Sequence, residues 1–352
     1  MPTSEPAAGP AVESRPSEAH TPSPRRHGAL LRFISRLALF SLPIALVSAW
    51  LEHGLRGMDT TYGAMRRGFE AASSRVQIIV LGSSAAAKGI NPSRFSEFGY
   101  NLANGSQSVH YDIALVEKYL PRLPLLRLVV WGMPYFYMSY ELKNYQESWR
   151  QHFYATFWGV PVEEPSHSFI TIQQHSFVAL YTPLTSLEYG LRGFRGPSYD
   201  GLMANGWEAA EPLSAAEHEA GVGAAWTRVR AAGHRSGMRE ESARRNVRAF
   251  RAFASDLGAK GVRIAVVWLP VTSEYTSDFG EALIAEQRRM LMNAIAGIGG
   301  VDFFDYSTDA RFGVDDFANA DHLAASGTAK LSNILEAEVV RPLLERAAVD
   351  KP

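Results

Sequence analysis

A doubly wound α/β domain with a parallel sheet, set behind one N-terminal membrane-spanning helix, is what this 352-residue sequence predicts. Three observations carry that reading. Nearly continuous apolar runs, VQIIVL at 76–81, LRLVVW at 126–131 and VRIAVVWL at 262–269, have the pattern of strands buried on both faces of a parallel sheet. Helical segments closed by Pro or Gly alternate with them, which is the rhythm of βαβ units. Near the N-terminus, residues 37–51 carry no charge at all.

Residues 1–28 are rich in Pro, Ser, Ala and Glu without an apolar period, and they predict a disordered cytoplasmic tail. The apolar segment at 29–51 is broken only by Arg32 and Arg36. Spanning a bilayer takes about 20 residues, and roughly 17 suffice, so the segment spans if both arginines snorkel to the inner interface. Arg25 and Arg26 precede it, whereas Glu52, His53 and Arg56 form a mixed flank after it. The positive-inside rule then predicts a single-pass anchor in the inner (cytoplasmic) membrane, with the following domain periplasmic or otherwise extracytoplasmic. A cleaved signal peptide ending near Val47-Ser48-Ala49 would export the same domain, and a buried core helix is the third reading of the segment.

A helical lead-in covers 57–74, and a domain is expected over 75–345. The strand at 76–81 ends in Gly82-Ser83-Ser84, and a helix opens at 85–88. A short strand at 100–103 ends in Asn104-Gly105-Ser106, the helix YDIALVEKYL follows at 111–120, and the strand at 126–131 ends at Gly132. After an interruption come a helix at 240–257, the strand at 262–269, a helix at 280–298, a strand at 301–305 and a helix at 326–338. Ligands in such sheets bind at the carboxyl ends of the strands. That edge holds Ser84, Gly105, Gly132 and the loop of His322. Residues 138–237, rich in aromatics such as Tyr140, Tyr145, Trp149 and Trp158, read as an insertion or cap, helical in its second half at 208–230. Its aromatics are core, or a surface on which sugar rings stack.

Composition narrows the chemistry. The net charge of −1 gives no bulk field for nucleic acid. Without cysteine there is no disulfide, thiolate metal site or cysteine nucleophile. His110 with Asp112, and His167 with His175, lack a recognisable metal-ligand spacing, no Walker-type loop is present, and so no metal or cofactor is expected.

Three local features remain. Gly82-Ser83-Ser84 at a strand-to-helix turn presents a hydroxyl where free N–H groups favour an oxyanion, although a plain N-cap reads the same way. Asp316 to His322 (DFANADH) offers a histidine with acids nearby, or a polar surface turn. Gly105 offers an unhindered backbone N–H, or is a loop glycine.

Together, in this order and spacing, the three resemble the SGNH/GDSL hydrolase superfamily. The stretches GSSAAAKGINPSRF, YNLANGSQSVHYD, VVWGMPYFY, VVWLPVTSEY and FANADHLAASGTAKLS look closest to its membrane-anchored branch, the relatives of alginate and cell-wall O-acetylation proteins. The resemblance covers about 75–137 and 262–335 and leaves the insertion out. It implies a three-layer α/β/α flavodoxin-like hydrolase domain, Ser84 as nucleophile, His322 as base, and the Ser84 and Gly105 N–H groups as oxyanion donors. It further implies an O-acetyltransferase or esterase acting on a cell-envelope or exported polysaccharide, with an acyl donor supplied by a membrane acyltransferase. Two departures stand out: Gly132-Met133-Pro134-Tyr135 lacks the family's oxyanion Asn, and Asn319 stands where the family keeps its triad Asp. Asp316 or Asp321 is expected to substitute if a charge is needed, with Asn319 under the imidazole and Asp321 facing solvent or a backbone amide. The alternative is a non-catalytic envelope protein of the same fold that binds glycan or an assembly partner.

Overall fold

The computed structural model describes residues 24–57, 60–163, 176–178, 183–194, 202–209 and 214–349. The expected tail at 1–23 and the pair His167 and His175 lie outside them.

The first helix, α1, runs Pro24–Gly57, so residues 24–28 are helical rather than part of a disordered tail. Pro24 sits at the helix start, where its missing N–H costs nothing. From Gly28 to Gly57 the mean hydropathy reaches 1.8, long and apolar enough to cross a membrane. Leu39, Phe40 and Leu46 are all exposed, which no water-facing helix favours. Residues to Leu51 form one unit, and the chain from Glu52 onward forms another.

In the second unit, α2 (Thr61–Ala72) leads into β1 (Ile78–Gly82), α3 (Ser84–Gly89), β2 (Gly99–Asn101), α4 (Val109–Tyr119) and β3 (Leu128–Met133). The insertion contributes α5 (Pro183–Gly193), α6 (Ala215–Val222) and α7 (Ala224–Gly237). The α/β rhythm then resumes with α8 (Glu240–Ala259), β4 (Arg263–Trp268), α9 (Ser273–Phe279), α10 (Glu281–Ile295) and β5 (Val301–Asp305). A small hairpin, β6 (Phe317–Asn319) and β7 (His322–Leu323), precedes α11 (Ala325–Leu335) and α12 (Arg341–Val349).

Five parallel strands pair in the order β2-β1-β3-β4-β5, one of the common doubly wound orders. Because strand side chains alternate, β-branched runs fill both faces. Ile79, Leu81, Val129, Trp131 and Ile264 pack on Phe69 of α2, Val116 of α4 and Phe250 of α8. Ile78, Val80, Leu128, Val130 and Val267 pack on Ala86 of α3, Leu331 of α11 and Leu343 of α12. Among the described residues, the insertion aromatics Phe153, Tyr154, Phe157 and Trp158 are core, buried beside Phe69 and Tyr62.

Candidate active site

At the end of β1 the chain turns sharply into α3. Gly82 adopts φ +130, and a Cβ there would lie 2.1 Å from the Gly132 carbonyl oxygen of the neighbouring strand. Only glycine suits both conditions. Gly132, where a Cβ would meet Ala86 at 2.8 Å, lets α3 settle on the sheet. Ser84 begins α3, so its N–H belongs to the first turn, which has no intrahelical acceptor.

Beneath this turn lies Asp112 of α4, fully buried. It accepts from the Gly82 N–H (3.1 Å), the Trp131 indole (2.7 Å), the Tyr137 hydroxyl (2.5 Å) and the Gln107 amide. Burial pushes its carboxyl up to about 6, against the pull of these donors. Asp112 therefore ties the Gly82–Ser84 turn to α4, β3 and the loop after β3.

His322 comes from the hairpin that follows β5. Its Nε2 is 2.8 Å from the Ser84 Oγ, across 238 residues of sequence. The β6–β7 register sets Asn319 opposite His322. Asn319 Oδ1 accepts from the Asp321 N–H (3.2 Å), the His322 N–H (3.1 Å) and, at 2.9 Å, His322 Nδ1. Two backbone donors fix which end of the amide faces the ring, so Nδ1 carries the proton and Nε2 offers its lone pair to the serine.

The acids are placed differently from each other. Asp316 accepts from the Gly313 N–H at 2.9 Å and pairs with Lys330, a structural clamp in the preceding loop. Asp321 does not face solvent or settle on a backbone amide as expected. Its side chain is 7% exposed, its two oxygens accept from Arg230 at 2.9 and 3.1 Å, and Oδ1 lies 3.6 Å from His322 Nδ1. The reason is tertiary: α7 of the insertion lies over the hairpin and delivers a guanidinium there. Burial alone would raise the Asp321 carboxyl, but the positive charges of His322, Arg230 and His234 outweigh it and hold it well below the usual carboxylate range. Burial lowers His322 to about 4 although Asp321 works the other way, so the imidazole is neutral at pH 7.

Gly105 is at the same edge, but its N–H donates to Asn104 Oδ1 at 2.7 Å, and Asn104 Nδ2 is buried without a partner among the described residues. Next to it, Ser106 adopts φ 54, an uncommon conformation for a residue with a side chain. Its hydroxyl donates to Glu147, its carbonyl accepts from Tyr140 at 2.9 Å, and Glu147 pairs with Arg150 at 2.9 Å. These groups, with Phe136, Tyr145 and His234, wall a cavity of about 230 Å³ over Ser84 and His322. A larger depression of about 870 Å³ lies at the opposite end of the strands, around Arg127, Gly261 and Gly300, and contains none of these groups.

Sequence reasoning missed Asp112, Glu147, Arg150, Arg230 and His234 as parts of this edge. Only Arg230 and His234 carried a signal, one helical turn apart on one face of α7. Among the described residues no cluster of His, Asp and Glu is arranged to hold a metal ion.

No protein-family model matches this chain, and no curated protein matches it either.

Proposed function

We propose that this chain is a serine acyl-ester enzyme of the SGNH hydrolase type, an O-acetyltransferase or esterase acting on a cell-envelope or exported polysaccharide. The single observation that carries this reading is the chain of contacts Ser84 Oγ to His322 Nε2 at 2.8 Å and His322 Nδ1 to Asn319 Oδ1 at 2.9 Å. A serine nucleophile needs a neutral base within such reach and a third group that holds the tautomer. The strand order, and the positions of Ser84 after β1 and His322 after β5, also support the family reading.

In the proposed reaction, the Ser84 hydroxyl proton passes to His322 Nε2 as Oγ bonds to the acyl carbonyl carbon. The Ser84 N–H holds the oxyanion, joined by the Gly105 N–H once Asn104 releases it. His322 returns the proton to the leaving oxygen, and the acyl group stays on Ser84. A water or a sugar hydroxyl then takes the acyl group by the same steps in reverse. Asn319 orients the ring and Asp321 supplies the charge that steadies the imidazolium, so the usual work of one aspartate is divided between two residues. The domain works outside the inner membrane, anchored by α1, with its acyl donor delivered by a membrane acyltransferase. The cavity, with Phe136, Tyr140 and Tyr145 in its wall, suits a short acyl chain and one sugar ring.

The second reading, a glycan- or partner-binding protein without turnover, is favoured by two observations: Asn319 in place of a carboxylate, and the engaged Gly105 N–H. A fluorophosphonate probe decides between them. Full-length protein in detergent is expected to be labelled on Ser84, and Ser84→Ala and His322→Gln to be unlabelled. A membrane-impermeant version of the probe is expected to label spheroplasts equally. Absent labelling in detergent sinks the enzyme reading, while labelling in detergent but not on spheroplasts sinks only the location.

A further inference from the structure

We propose that Arg230, carried in by the insertion, is a positioning residue for the catalytic pair: by gripping both oxygens of Asp321 it sets the charge that His322 experiences. This rests on the reading of Ser84 and His322 as an acyl-transfer pair. It goes beyond that reading because Arg230 lies in the part of the chain that the family resemblance leaves out.

The geometry is specific. The fork of Arg230 meets Asp321 in a two-pronged contact at 2.9 and 3.1 Å, the planar pairing that arginine makes and lysine cannot. Asp321 is nearly buried, so its charge is screened little by water. Its Oδ1 sits 3.6 Å from the His322 Nδ1, while the hydrogen bond from that nitrogen goes to Asn319 instead. The carboxylate therefore acts on the ring through its charge, and Arg230 decides how much of that charge remains.

The insertion is fastened where this matters. Gly221 at the end of α6 accepts from the Ala320 N–H in the hairpin turn, and a Cβ on Gly221 would meet the Ala318 carbonyl at 2.7 Å. One turn beyond Arg230, His234 stacks on Phe136 with ring centroids 4.2 Å apart, and its Nδ1 is 2.7 Å from the Tyr275 hydroxyl. Its Nε2 is 4.0 Å from Asp321 Oδ2. Burial lowers His234 to about 4, so it adds no charge at neutral pH.

The charged groups facing His322 are then few. Asp321 comes from its own hairpin, Arg230 and His234 from α7, and Lys88 from α3, where Glu208 lies 3.5 Å from the lysine. The paired Glu147 and Arg150 stand across the cavity. Of these, Asp321 is the one carboxylate among the described residues within 4 Å of a ring nitrogen, and the half-buried Arg230 is its ion-pair partner. With Arg230 present, the carboxylate's charge is partly offset and His322 stays an unprotonated base well into the acid range. Without it, a bare carboxylate beside Nδ1 favours the imidazolium.

The test is the rate of fluorophosphonate labelling of Ser84 in the full-length protein, followed from about pH 4 to about pH 8. Arg230→Gln is expected to move the acid limb upward by about one pH unit or more, an about tenfold loss at pH 4 relative to its own plateau. Asp321→Asn is expected not to move it upward, and the double variant, which removes both charges, to return it close to wild type. An arginine that merely braces α7 would lower the plateau and leave the limb in place in all three. An unshifted limb in Arg230→Gln overturns the proposal. Should that variant fail to fold, an upward limb in Asp321→Asn or in the double variant overturns it equally. The His322 imidazole resonance, assigned with His322→Gln, gives the same titration without any labelling. If the wild type is unlabelled, the enzyme reading fails, and the resonance still shows whether Arg230→Gln raises the His322 pKa.

Discussion

At the scale of single residues, two positions carry most of the argument. Gly82 has to turn with positive φ while its α-carbon lies against the Gly132 carbonyl. Gly82→Ala places a methyl group inside that oxygen, and the strand pair or the turn must give way. The expected cost is about 3 kcal/mol, by analogy with strained and overpacked sites, read as a fall in the denaturant midpoint. Labelling of Ser84 should fall further than stability alone requires, because the turn also aims the hydroxyl. Asn319 has the opposite profile. It is half-buried at a hairpin end, and its side-chain oxygen holds the His322 ring. Asn319→Ala frees Nδ1, so the ring samples both tautomers. Hydrolysis of p-nitrophenyl acetate is expected to drop about 10²-fold or more with little change in melting temperature. An unchanged rate would show that Asn319 is not the orienting group.

At the scale of elements, Asp112 makes α4 more than a covering helix. It takes donors from β1, β3, the loop before α4 and the loop after β3, so one carboxylate joins the pieces that frame the Gly82–Ser84 turn. Asp112→Asn turns one of its acceptor oxygens into an NH₂ that must face two donors, either Trp131 and Tyr137 or Gly82 and Gln107. Leaving buried donors unpaired costs about 1–3 kcal/mol each, so a destabilisation of about 3 kcal/mol is expected in urea unfolding. A loss under about 1 kcal/mol would mean the donors find other partners. By contrast, exposed pairs such as Arg244 with Glu240 on α8 contribute at most a few tenths of a kcal/mol, since water screens them.

At the scale of the whole molecule, titration links the site to stability. His322 and His234 are each lowered to about 4 by burial, from an ordinary value near 6.5. The unfolded chain therefore binds more protons at these positions, and stability is lost as pH falls from about 6.5 towards 4. Asp321, held low by its neighbours, adds to the same acid loss below the ordinary carboxylate range. Asp112, raised to about 6, acts with the opposite sign: its contribution is present at low pH and is lost as pH rises through about 6. Between 4 and 6 the two imidazoles outweigh the one carboxyl. The melting temperature is expected to be lower at pH 5 than at pH 7, and a flat or inverted trend would contradict the buried, neutral histidines.

What the sequence determined by itself were the features written in local pattern. Buried strands announce themselves as apolar runs, turns as Gly and Pro, and the first helix as an uncharged segment behind basic residues, because burial and backbone geometry act on neighbours in the chain. Gly82, Ser84 and His322 could be singled out as local features of a strand-to-helix turn and a polar loop, whereas Asn319 stood out only through the resemblance to SGNH hydrolases. Only the tertiary structure decided what surrounds them. Asp316, Asp321 and Asn319 lie within six positions of one another, yet one clamps Lys330, one pairs with Arg230 and one holds the histidine. Nothing in the order of residues distinguishes these fates, because each depends on which distant side chain arrives. Arg230 and His234 arrive from an insertion whose helices could be read but whose docking could not, and Asp112 looks like any first-turn helix acid until four donors converge on it. Electrostatics inside a protein is set by distances through space, and those exist only after the chain has folded.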